Sequence, residues 1–121
     1  MKWNKKFTYP PSVRSLIEGS RHYDINNTKL PSVTTILQAT QSDEKKASLA
    51  NWRAKVGENK ADSIRDQAAS RGTIMHRVIE GYLTGHRHAD LSDLGTQAGV
   101  MARNIWESDL KENMTEVWGT E

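Results

Sequence analysis

The chain contains no cysteine, which excludes disulfides and thiolate metal sites and leaves oxygen or imidazole as the only metal donors. It has no apolar run approaching the roughly 18 residues of a membrane span. The opening, Met1 to Tyr9, carries Lys2, Lys5 and Lys6 but no apolar stretch of signal-peptide length, so the cytoplasm is the expected compartment. Charge of one sign is missing too: 17 Lys and Arg against 15 Asp and Glu leave +2, which does not diagnose a nucleic-acid partner. There are no repeats and no low-complexity tracts. What remains is 121 residues, 36% hydrophobic and 26% charged, the composition of a globular chain with material for one modest core.

Residues 1–20 are polar and broken by Pro10 and Pro11, which fix backbone angles and remove amide donors, so an extended, poorly packed segment is expected there. Arg21 to Ile25 predicts a short strand, with Asn26 and Asn27 supplying turn chemistry. In the run Leu30-Pro31-Ser32-Val33-Thr34-Thr35-Ile36-Leu37, Ser32 is placed to cap a short helix. From Asp43, the spacing of Leu49, Trp52 and Val56 predicts a second helix stopped by Gly57. A third, from about Ala61 to Leu83, aligns Ile64, Ala68, Met75, Ile79 and Tyr82 on one stripe and ends before Gly85.

A fourth helix is predicted from Leu91, Leu94, Ala98, Ala102 and Ile105, capped by Ser92 or Asp93, with Gly95 and Gly99 weakening its start. Met114 to Glu121 turns to β-branched and aromatic residues and predicts a strand with no later strand to pair with. That implies a domain continuing past it. The fold class expected is α+β and mainly helical, with residues 21–121 forming one domain portion.

His76 and Glu80 stand four residues apart on the third helix, so their side chains share a face, one turn from each other. Gly72 lies one turn before His76, and because helical side chains lean toward the N-terminus the imidazole lies over a bare patch of helix. From spacing alone, a His and a Glu at this separation are more often a surface hydrogen-bonded pair than a metal site. Arg71, Arg77, His86, Arg87 and His88, together with Lys45, Lys46, Arg53 and Lys55, are candidate phosphate contacts, although a solvated basic surface is the commoner role for any one of them. Trp52, Trp106 and Trp118 are candidates for stacking on bases, although helical spacing makes Trp52 and Trp106 core candidates.

Three segments taken together, Leu30 to Leu37, Trp52-Arg53, and Arg71-Gly72-Thr73-Ile74-Met75-His76-Arg77-Val78-Ile79-Glu80, resemble the N-terminal half of phage exonucleases related to the mitochondrial genome maintenance exonuclease. These belong to the RecB-like group of PD-(D/E)XK nucleases. The resemblance runs from about Tyr23 to the end of the chain. It implies the N-terminal helical part and first core strand of a restriction-endonuclease-like α/β fold. It also implies a Mg²⁺- or Mn²⁺-dependent hydrolase acting on single-stranded DNA ends in replication, repair or recombination.

By the same resemblance His76 assists metal binding, Glu80 supports His76, and Glu121 ends the first core strand beside the active site. Arg53, Arg71 and Arg77 would line the path of the DNA. The family's downstream metal-binding Asp and its Glu-x-Lys strand are not in this sequence, so the chain alone is expected to be inactive. The alternative is a non-catalytic helical module that binds nucleic acid or a protein.

Overall fold

Positive φ at two consecutive residues reverses a strand with the twist that antiparallel pairing needs. The chain does this twice, at Glu18 and Gly19 (51° and 79°) and at Asn26 and Asn27 (51° and 63°). The structure, a computed structural model, describes residues 2–86 and 89–120. In chain order its elements are β1 (Lys2–Trp3), β2 (Ser12–Ile17), β3 (Ser20–Ile25), β4 (Thr28–Pro31), α1 (Val33–Ala39), α2 (Asp43–Val56), α3 (Glu58–Thr84) and α4 (Asp93–Ile105). A π-helical turn (Trp106–Leu110), α5 (Lys111–Asn113) and β5 (Glu116–Val117) follow. The architecture is α+β and mainly helical. It divides into two compact units, Thr8–Val56 and Met1–Phe7 with Gly57–Glu121.

In the first unit β2, β3 and β4 form an antiparallel sheet, with Ile17 opposite Ser20 and Ile25 opposite Thr28 closing the two-residue turns. β3 is where Arg21 to Ile25 predicts it. β2 replaces part of the opening segment expected to lack structure, because Glu18-Gly19 provides a second turn despite Pro10 and Pro11 upstream. Glu18 is the poorest fit of the four turn residues, since a long side chain at positive φ meets steric cost that asparagine largely avoids. Glu18→Asn is therefore expected to stabilise this unit by about 0.5–1 kcal/mol. A urea unfolding curve with an unmoved or lowered midpoint would contradict it.

The sheet hands over to α1 through Ser32, at 7% exposure the one buried polar side chain among the described residues. Its Oγ accepts from the Thr35 amide at 3.1 Å, the predicted cap. Its own amide and the Thr35 hydroxyl both donate to the Arg21 carbonyl at 3.0 Å, which ties the helix start to β3. α2 departs from expectation: Leu49 and Trp52 are exposed, and the helix buries no residue. Helical spacing aligned these side chains, but of the expected stripe only Val56 is even half-buried.

The second unit is built on α3 and α4. Gly95, Ala98 and Ala102 are buried on one side of α4, and their small side chains let it approach α3 closely. Ser92 caps α4 by accepting from the Gly95 amide at 3.1 Å, and Leu91, expected in the helix core, lies outside it at 95% exposure. Gly95 is required where it stands, because a Cβ would run into the Asp90 backbone carbonyl and side chain. Arg71 donates to Gln97 at 3.0 Å and the Tyr82 ring lies 5.2 Å from Trp106. Later residues of α3 thus meet later residues of the segment that α4 and the π-helical turn form, so the two helices run in the same general sense; an antiparallel pair would separate these contacts by roughly 30 Å.

The expected α3 stripe is only partly buried. Met75 and Ile79 are half-buried, while Ile64 and Ala68 are exposed, because α3 is far longer than the α4 surface available to cover it. Among the described residues no large side chain is fully buried. β5 lies in the segment predicted as a strand, and it is paired: Glu116 and Val117 match Lys2 and Trp3 in parallel. The Asn4 amide donates to the Val117 carbonyl at 2.8 Å, and the Trp3 indole donates to the Leu83 carbonyl at 3.2 Å. Val117 is buried, so the extreme N-terminus is part of this unit's packing.

Candidate functional site

α3 runs without a break from Glu58 to Thr84, so the segment Arg71 to Glu80 is helical throughout and its spacing arguments apply directly. Gly85, at φ 75°, ends the helix in the left-handed conformation, as predicted. His76 is exposed and Glu80 half-buried, one turn apart on the same face. Arg71 and Tyr82, which meet the α4 side, lie roughly 120–140° around the helix from His76. The His76 face is therefore turned away from the helix partner.

Gly72 completes that face. A Cβ built there meets no atom within 4 Å, so no neighbour in the folded chain demands a glycine. Mid-helix glycine costs about 0.5–1 kcal/mol relative to alanine. Gly72→Ala is accordingly expected to raise stability by that amount in thermal unfolding. If the bare patch admits a ligand, the same variant loses activity while gaining stability. An unchanged activity would reduce Gly72 to an unexplained local weakness.

The remaining predicted residues are dispersed. Arg71 is held by Gln97 and serves the α3–α4 contact. Arg77 is exposed, about 100° around the helix from His76. Arg53 is half-buried on α2 in the other unit. Lys45, Lys46 and Lys55 are exposed on that same helix. Glu121, Arg87 and His88 lie outside the described residues. Trp106 is half-buried against Tyr82, as a core role requires, whereas Trp52 and Trp118 are 37% and 50% exposed.

Among the described residues no three His, Asp or Glu side chains converge on a metal site. His76 and Glu80 offer two donors, fewer than a divalent ion takes, so these residues do not by themselves fit a metal centre. No hydrolytic step follows from them alone. No helix among the described residues is long and apolar enough to cross a membrane.

A groove of this unit, about 820 Å³, is lined by residues that include Gly81, Tyr82, Gly85, Gly95, Gly99 and Arg103. Gly81 and Tyr82 place it away from the His76 face, so the groove and the predicted site are separate features. One feature that sequence reasoning missed is a hydrogen-bonded cluster at the β1–β5 end. Asn4 donates to Glu116 at 2.9 Å, and the Trp118 indole donates to the other Glu116 oxygen at 2.8 Å. Its only sequence signal is polar and aromatic residues at opposite ends of the chain. Compared with protein-family models, curated proteins and solved structures, the chain has no significant match in any of the three.

Proposed function

We propose that this chain is the N-terminal part of a metal-dependent exonuclease of the RecB-like PD-(D/E)XK type, acting on single-stranded DNA ends. The observation that carries the reading is the arrangement on α3: His76 and Glu80 one turn apart, with Gly72 one turn before them over open space, on a face turned away from α4. The exposed His76, turned away from α4, is open to whatever approaches from outside.

The thin core supports the idea that the chain packs against further protein. Val13, Leu16, Val33 and Leu37 are all more than 60% exposed. In this reading the carboxylates that hold Mg²⁺ or Mn²⁺ come largely from outside the described residues, and His76 assists them. The test is release of nucleotides from end-labelled single-stranded DNA with Mg²⁺ or Mn²⁺. It compares the 121-residue chain with a form extended by any sequence that follows Glu121 in its reading frame. Activity in the extended form alone is expected. Absence of hydrolysis from both, with DNA binding retained, would favour the non-catalytic binding module.

A further inference from the structure

We propose that the end of the second unit where β1 meets β5 is a docking surface for single-stranded DNA, with Trp118 as the stacking ring, Phe7 as its buttress, and Lys5 and Lys6 as phosphate contacts. Phe7 and Trp118 have ring centroids 5.2 Å apart, tilted by 44°, and are 44% and 50% exposed. The Lys6 ammonium lies 5.5 Å from the Phe7 centroid, so it occupies a face of Phe7 and leaves Trp118 as the ring open to a planar ligand.

Trp118 does not hang loosely. Its indole donates to Glu116, whose other oxygen accepts from Asn4, and the Asn4 side-chain oxygen accepts from the Lys6 amide at 2.8 Å. One network therefore fixes both the ring and the backbone that carries Lys6 and Phe7. A half-exposed aromatic held in one orientation is suited to stacking, because little rotamer freedom remains to be lost on binding.

Charge selects the partner. Residues 1–7 include Lys2, Lys5 and Lys6 and no acidic residue. Glu116 has both oxygens engaged within the cluster. A planar ring near Lys5 and Lys6, which outnumber the one carboxylate of the cluster, Glu116, matches the alternating bases and phosphates of a single strand, whose bases are free to stack, and not a duplex, whose bases are already stacked. The choice of DNA over RNA rests on the nuclease reading above; the stacking surface does not.

The experiment measures binding of the full chain, in EDTA, to fluorescein-labelled oligo(dT) of about 20 nucleotides, to the matching duplex and to oligo(U), by anisotropy and tryptophan quenching. EDTA removes metal-dependent hydrolysis, so failure of the nuclease reading and failure of this one are separately visible. Expected is preferential binding of oligo(dT), weakened about tenfold or more in Trp118→Ala. Trp118→Phe should retain most of the affinity, and Trp118→Leu, which keeps apolar bulk without a planar face, should not. The Lys5→Ala/Lys6→Ala pair should flatten the slope of log K against log salt by about 1.4, at roughly 0.7 per phosphate contact.

Absence of binding, equal affinity for duplex, or full affinity in a Trp118→Leu protein of unchanged helix content would each overturn the stacking surface, and tighter binding of oligo(U) would overturn the choice of DNA as its occupant.

Discussion

Replacing His76 with alanine is expected to lower metal-dependent hydrolysis of single-stranded DNA by about 10–100-fold or more, in whichever form of the protein carries the activity. The side chain is exposed on α3 and makes no hydrogen bond or ion pair within the described residues, so its removal takes away little native packing. Alanine is also the better helix former. Stability should consequently stay within about 0.5 kcal/mol of the parent, as for other surface substitutions away from special features. The combination is diagnostic: a large loss of activity at constant stability identifies a residue that acts on the reaction. Full activity in His76→Ala would leave His76 as an ordinary exposed side chain, not bonded to Glu80, and remove the main support for the nuclease reading.

Ala98→Leu should be the most disruptive substitution for the helix pair. Ala98 is fully buried on the small-residue face that lets α4 approach α3, and a leucine there has no space unless the helices separate. Overpacking of this kind costs about 1–3 kcal/mol. This unit has little in reserve, because its buried apolar residues among those described are Ala61, Ala98, Ala102 and Val117. A lowered or lost cooperative transition in thermal circular dichroism is expected. Val100→Leu, at a position 55% exposed on the same helix, provides the control and should melt with the parent. Equal melting of the two variants would mean that the α3–α4 contact is not close-packed as described.

Legibility from sequence followed the range of the interaction. The cap at Ser32, the stops at Gly57 and Gly85, the Asn26-Asn27 turn and the cap at Ser92 are each decided by a few neighbouring residues, and the structure carries all of them. The core was harder to read. Periodicity correctly aligned Leu49 with Trp52, and Ile64 with Ala68, but a stripe becomes a core only where another element covers it, and these residues are exposed. The candidate site was legible to the same degree: spacing alone put His76, Glu80 and Gly72 on one face of α3.

What spacing could not show is that Arg71 belongs to the α4 contact, or that Trp118 stands exposed beside Phe7. Those facts depend on partners far away in the chain, as does the pairing of β5 with β1, where Asn4 and Glu116 meet across 112 positions. By itself, then, the sequence determined where the four main helices lie, their capping and stopping residues and the Asn26-Asn27 turn, though not the Glu18-Gly19 turn, since backbone sterics and capping hydrogen bonds act within a single turn. Only the tertiary structure decided which faces are buried and which residues of the two chain ends come together. Burial and long-range pairing are properties of the partner surface, and no local pattern encodes where that surface will be.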